Sequence, residues 1–190
     1  MGKRLFAAIK IDPDKYFLDQ VHRLKMQLAH EKIKWVEEQN IHVTLKFFGD
    51  TDERSIPEIE SVLKKIAEEN IAFGFRLRSM GVFGSSYNPR VMWAGIEPYD
   101  HLVKLMKDLH SELKTIGYDP DRQNLVPHLT IGRIKEIKDK QFFQRTIEKF
   151  REIETSEKMA TEIYLYESIL KNDGPVYLVQ NTFLFSQSRE

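Results

Sequence analysis

The tripeptide His-x-Thr occurs twice in this chain, as His42-Val43-Thr44 and as His128-Leu129-Thr130, each time among alternating apolar residues. Alternation with a period of two marks a half-buried strand, and residues two apart on a strand share a face. Each copy therefore sets an imidazole beside a hydroxyl, with Val43 and Leu45, or Leu129 and Ile131, turned the other way. Imidazole titrates near pH 6.5, so at neutrality one ring can be neutral while a second is protonated. One can take a proton from water while the other gives one to a leaving alkoxide, which is general acid–base catalysis worth about 10²–10⁴-fold per group. Thr44 and Thr130 can donate hydrogen bonds to the non-bridging oxygens of a phosphate and so stabilise charge that builds up in the transition state. This chemistry on a phosphate needs no nucleophilic side chain, no metal and no cofactor.

Other readings of these residues are weaker. Threonine is a poor metal ligand, and a metal site would want His-x-His or adjacent carboxylates. No nucleophile-elbow motif supports a Ser-His-Asp triad. His22, His30, His101 and His110 fall in helical stretches and read as ordinary solvated or half-buried residues. Trp35 and Trp93 read as core or rim, and Lys64-Lys65 as solvated surface. Two residues compete as the cation that grips the phosphate. Lys46 has the parity of His42 and Thr44 without any bend. Arg133 has the wrong parity, but Gly132 before it permits a bend or bulge. Bidentate geometry favours arginine, and the spacing alone leaves the two even.

Composition narrows the class. A chain of 190 residues with 41% hydrophobic content can bury a proper core as one domain, 1–190, of two joined lobes. Formal net charge is zero, which argues against a broad electrostatic nucleic-acid binder but allows a small basic cleft. With no cysteine, disulfides, thiolate zinc sites and a cysteine nucleophile are excluded. The apolar run 5–9 is too short for a signal-peptide core, and Phe6 stands where a myristoylation motif wants Ser or Thr. No run approaches a membrane span. A cytoplasmic protein with neither a membrane association nor an obligate protein partner is expected.

The elements that must position the motifs alternate along the chain. Strands are expected over 4–11 and from His42 to about 49–50. Others follow over 73–77, 91–96, around His128, and over 159–170 and 176–185. Helices are expected over about 12–30, opened by Asp12-Pro13, and from about 52, with Ile56, Ile59, Val62, Leu63 and Ile66 as the buried stripe. Two more run over 99–116, stopped by Gly117, and over 139–151. A loop covers 118–126, and turns fall at 84–89 and 171–175. Intermixed helices and strands joined by short turns predict an α+β fold with antiparallel sheets. Each motif strand leads into a helix, which predicts two pseudo-symmetric lobes, helices outside, with the motifs on central strands facing a groove.

These segments resemble the 2H phosphoesterases, and within them the RNA 2′,3′-cyclic phosphodiesterases, also called 2′-5′ RNA ligases (the LigT/ThpR group). The resemblance rests on 4–9 (RLFAAI), 42–49 (HVTLKFFG), 90–95 (RVMWAG), 127–133 (PHLTIGR) and 165–168 with 174–177 (LYES, GPVY). It implies metal-free hydrolysis of a 2′,3′-cyclic phosphate at an RNA end, or on a small nucleotide, to a 2′-phosphate. It also implies that His42 protonates the leaving 3′ oxygen and that His128 activates water. Thr44, Thr130 and Arg133 then contact the phosphate, and joining to a 5′-hydroxyl is a secondary reverse reaction. The alternatives are a phosphodiesterase on another cyclic or 2′-5′ linked nucleotide, or a nucleotide- or RNA-end-binding module without turnover.

Overall fold

The first strand, β1 (Gly2–Lys10), is apolar on both faces and lies between two others. The computed structural model describes residues 2–85, 87–120, 126–172 and 174–187. After β1 come α1 (Lys15–Gln27), β2 (Lys32–Trp35), β3 (His42–Asp52), α2 (Ile56–Glu68), β4 (Phe73–Gly84), β5 (Pro89–Glu97) and α3 (Asp100–Thr115). The chain continues through β6 (His128–Glu136), α4 (Lys140–Lys149), β7 (Lys158–Ala160), β8 (Glu162–Lys171) and β9 (Gly174–Leu184). The strands form two antiparallel sheets, β3-β1-β8-β9 and β2-β6-β5-β4-β7, so the α+β class is as expected.

The helices follow their apolar stripes. Ile59, Val62, Leu63 and Ile66 of α2 are buried, as are Leu102, Leu105, Met106, Leu109 and Leu113 of α3. Packing of such a face, rather than propensity, supplies most of a helix's stability. Helices α2 and α3 pack together against the first sheet, while α1 meets α4, which lies beside β4. One continuous apolar core joins residues from both sheets, including Leu5, Leu45, Leu77 and Leu129.

Several details depart from expectation. Helix α1 starts later, because Asp14 rather than Asp12 is the cap, its carboxylate accepting the Phe17 N–H at 2.9 Å. Strand β2, at four residues too short to show a period, lies outside the expected strands, and the strand expected over 159–170 divides at Thr161 into β7 and β8. The motif strand β3 lies at a sheet edge rather than centrally, whereas β6 lies between β2 and β5. Part of the expected loop 118–126 and of the expected turn 171–175 lies outside the described residues.

The two motif strands are neighbours in space, since β3 and β6 pack together across the two sheets. The buried carboxylate of Glu31 steadies the second of them. It accepts the N–H groups of Lys138 and Asp139, at 2.6 and 3.1 Å, and so holds the connection from β6 to α4.

Candidate active site

His42 and His128 are the first residues of β3 and β6, and the backbone holds both rings in the same way. The Nδ1 of His42 lies 2.7 Å from the carbonyl of Asn40, and the Nδ1 of His128 lies 2.9 Å from the carbonyl of Val126. A carbonyl only accepts, so each Nδ1 must carry the proton and each neutral ring keeps a bare Nε2. The Asn40 side chain is itself tied, donating to the Pro175 carbonyl at 3.0 Å, which joins this turn to the β8–β9 hairpin. Thr44 Oγ stands 3.1 Å from His42 Nε2, the pairing that the His-x-Thr spacing predicts.

Aromatic rings hold the imidazoles laterally. Phe6 lies 5.0 Å from the His42 ring, and Tyr177 meets that ring edge-on at 5.3 Å. Phe83 meets His128 edge-on at 4.7 Å and stacks on Trp93. Trp93 can lie flat because Gly81 beneath it has no side chain; a Cβ there would come within 2.3 Å of the indole. Phe6, Tyr164, Tyr166 and Tyr177 form a second cluster apart from the main core, an aromatic floor on the first sheet. Burial pushes the Tyr166 phenol up to about 12 and also raises Tyr177, where the charges of Arg133 and Arg4 pull back. Both phenols remain protonated donors at neutrality.

Burial also sets the state of His42. Loss of solvent pushes its pKa below the ordinary imidazole value, and the positive charges of Arg133 and His128 push the same way. The bond to the Asn40 carbonyl opposes them only in part. Arg133 and His128 therefore act on the same small space as His42.

An extra residue in each strand decides which cation reaches that space. In β3, Thr44 pairs with Ala8 and Lys46 with Ala7, so Leu45 is a bulge. In β6, Thr130 pairs with Trp93 and Gly132 with Met92, so Ile131 is a bulge. A bulge shifts the alternation by one residue. Lys46 is thereby turned inward to 4% exposure, where its ammonium donates to the Asp119 carbonyl at 2.7 Å. Its expected parity with His42 is lost. Arg133 is turned outward on the His128 face, exposed, with its charge felt at His42 and Tyr177. Gly132, the second of two consecutive inward residues, sits close under its neighbours, and a Cβ there would press on Ile33 and Met92 at 3.0 Å.

The remaining histidines differ among themselves. His110 is buried rather than solvated, and its Nε2 donates to the carbonyl of the bulged Leu45 at 3.0 Å. His22, His30 and His101 are exposed. Phe6, Phe83 and Tyr177 were not singled out as site residues by the spacing argument. For Phe6 the signal was present, since Arg4, Phe6 and Ala8 share the face of β1 opposite Leu5, Ala7 and Ile9. Among the described residues no three His, Asp or Glu side chains gather to hold a metal ion.

Two sheets meeting at a pair of backbone-locked His-x-Thr strands define a class, and the comparisons agree. The family model for LigT-like phosphoesterases matches residues 11–93 and 96–177, and the chain belongs to that family. The RNA 2′,3′-cyclic phosphodiesterase of Methanocaldococcus jannaschii is 35% identical over 176 residues, covering 93% of this chain and 97% of the relative. The protein of that name from Aquifex aeolicus is 37% identical over 152 residues, covering 79% and 80%. Among solved structures, TT0787 of Thermus thermophilus superposes with a TM-score of 0.79 at 25% identity, covering 98% of this chain and all of that one.

Proposed function

We propose that this protein is an RNA 2′,3′-cyclic phosphodiesterase, which opens the cyclic phosphate at an RNA end, or on a small nucleotide, to a 2′-phosphate. The observation that carries the proposal is the pair of imidazoles whose Nδ1 is tied to a backbone carbonyl, leaving Nε2 of each ring as the atom that can exchange a proton, beside Arg133. The names of the relatives from M. jannaschii and A. aeolicus support the same activity.

In this reading the two rings play opposite parts. His128 Nε2 takes a proton from water as the water oxygen attacks phosphorus. His42 Nε2 gives a proton to the 3′ oxygen as the P–O3′ bond breaks. The products are a 2′-phosphate monoester and a free 3′-hydroxyl, and one proton has passed from water to His128 and one from His42 to the sugar. Thr44 and Thr130 donate to the non-bridging oxygens, and the Arg133 fork neutralises the charge that develops there. Burial and the charges of Arg133 and His128 press His42 towards its neutral form, and an anionic phosphate beside it opposes those charges and favours the protonated ring. Running backwards, with a 5′-hydroxyl in place of water, the same groups would join RNA ends through a 2′-5′ linkage. Water is in excess, so hydrolysis dominates.

The enzyme so described works in the cytoplasm as a single domain of two lobes, without a metal and without an obligate protein partner. Among the described residues no helix is long and apolar enough to cross a membrane.

Incubating the protein in EDTA with an RNA oligonucleotide ending in 2′,3′-cyclic phosphate tests the proposal. The expected result is conversion to a 2′-phosphate end, lost in His42→Ala and His128→Ala by at least about 10²-fold each. No conversion by folded wild type, or full activity in either variant, would overturn it.

A further inference from the structure

A cleft opens beside Arg133 at the far end of β6. Strand β6 pairs with β5 only as far as the rung Val91–Arg133, and past it pairs with β2 alone. Where β5 and β6 part, a cleft of about 550 Å³ opens between the β4–β5 turn, the end of β6 and the start of α4. Arg133 forms one wall, so the cleft begins at the group assigned to the cyclic phosphate.

The lining of this cleft is strongly cationic although the chain carries no net charge. Arg90, Arg133, Lys135 and Lys140 all line it and are exposed. Among the described residues none of the four is paired with a carboxylate. The one lining carboxylate, Glu136, is held at 2.5 Å by Lys32, so it neutralises none of them. Tyr87 stands at the rim, 81% exposed, with the Lys140 ammonium 5.8 Å from its ring centre. Unpaired cations beside an open aromatic face are what a single-stranded nucleic acid requires, charge for its phosphates and a ring for its bases.

We propose that this cleft binds the nucleotide on the 5′ side of the cyclic end, so that the enzyme prefers RNA strands to isolated cyclic nucleotides. The inference rests on the phosphodiesterase reading. Covalent structure sets the direction. A nucleotide whose 2′ and 3′ oxygens are both held by one phosphate can continue into a chain only through its 5′ oxygen. With the cyclic phosphate at Arg133, the next phosphodiester falls among Arg90, Lys135 and Lys140, and the next base meets Tyr87. The cleft is of a size that suits one nucleotide.

The test compares adenosine 2′,3′-cyclic phosphate with a hexanucleotide ending in the same group, using wild type, Arg90→Ala/Lys140→Ala and Tyr87→Ala. The double variant is expected to raise KM for the hexanucleotide about tenfold with kcat unchanged, and to leave the mononucleotide alone. The slope of log KM against log salt on the hexanucleotide should fall by roughly 0.7 per lost phosphate contact. Tyr87→Ala should raise KM on the hexanucleotide about fivefold or more. Equal effects on both substrates, or none on the hexanucleotide, would overturn the proposal. If wild type hydrolyses neither substrate, the phosphodiesterase reading fails by itself. Fluorescence anisotropy with a labelled hexanucleotide ending in 2′-phosphate then decides the cleft: tenfold weaker binding by the double variant supports it, and unchanged binding refutes it.

Discussion

Phe47 and Arg133 occupy the same place in their two strands. Each stands five residues after its histidine and just past a bulged residue, Leu45 or Ile131, which turns it to the histidine face. Phe47 is 53% exposed and packs on Phe6, which also touches His42. One half of the site thus presents an aromatic ring where the other presents a guanidinium. The two His-x-Thr units are near-equivalent, but their surroundings are not, and at His42 burial and the Arg133 charge hold the imidazole below its ordinary value.

Arg133→Ala should therefore change the titration of His42 as well as the rate. Arg133 lowers the pKa of His42, so removing its charge raises that pKa towards the ordinary imidazole value. Following the His42 ring protons by NMR against pH would show this as an upward shift, and no shift would separate the two residues. Arg133→Lys keeps the charge but loses the fork, so it should restore the titration and recover only part of the rate.

Substrate binding should take up protons. Burial and the charges of Arg133 and His128 lower the pKa of His42, and an anionic phosphate beside it raises that pKa again. Calorimetric titration with a 2′-nucleotide in buffers of different ionisation enthalpy, near pH 6.5, should show net uptake, lost in His42→Ala. The same linkage acts on stability. Folded His42 holds its proton less tightly than unfolded His42, so its contribution is complete above the unfolded pKa and is lost as pH falls below about 6.5. His42→Ala should flatten that part of the stability profile in urea melts.

Thr44→Ala and Thr130→Ala should cost about 10–10³-fold in kcat, as for one lost transition-state donor, with little change in KM. Steady-state kinetics on a cyclic-phosphate substrate reads both. A rise in KM at constant kcat would make these hydroxyls ground-state contacts instead.

His110→Leu should couple fold and site. Its loss leaves the Leu45 carbonyl at the bulge without that donor inside the protein, a cost of about 1–3 kcal/mol. Urea unfolding should show the loss, and kcat should fall because the bulge orients Thr44 and Phe47. Full activity in a destabilised variant would confine His110 to the fold.

Gly81→Ala would drive a methyl into the Trp93 ring, overpacking that typically costs about 1–3 kcal/mol. Trp93 stacks on Phe83, which braces His128, so the indole emission should shift and the rate should drop together.

Much of this was open to inspection in the residues. That His42 shares a face with Thr44, and His128 with Thr130, follows from the period of a strand and needs no partner. The buried faces of α2 and α3 follow equally from spacing. Other features were not open in this way. Nothing in Leu45-Lys46 announces a bulge, and spacing alone leaves Lys46 and Arg133 even as the phosphate's cation, whereas the register with Ala7 and Ala8 turns Lys46 inward. Gly132 hinted at the bend that frees Arg133, yet the residue set outside the ladder is its neighbour Ile131.

The sequence by itself determined the chemical groups, their spacing along each strand and the alternation of strands with amphipathic helices, because these depend on residues near one another in the chain. Only the tertiary structure decided which cation faces the histidines, which carbonyls set their tautomers, that β3 lies at an edge and that Phe83 and Tyr177 brace the rings. A bulge forms where the partner strand and the core beneath leave one residue without a rung, and both partners lie far away in sequence. The proton on each Nδ1 is likewise set by where the backbone passes after folding, not by the histidine that carries it.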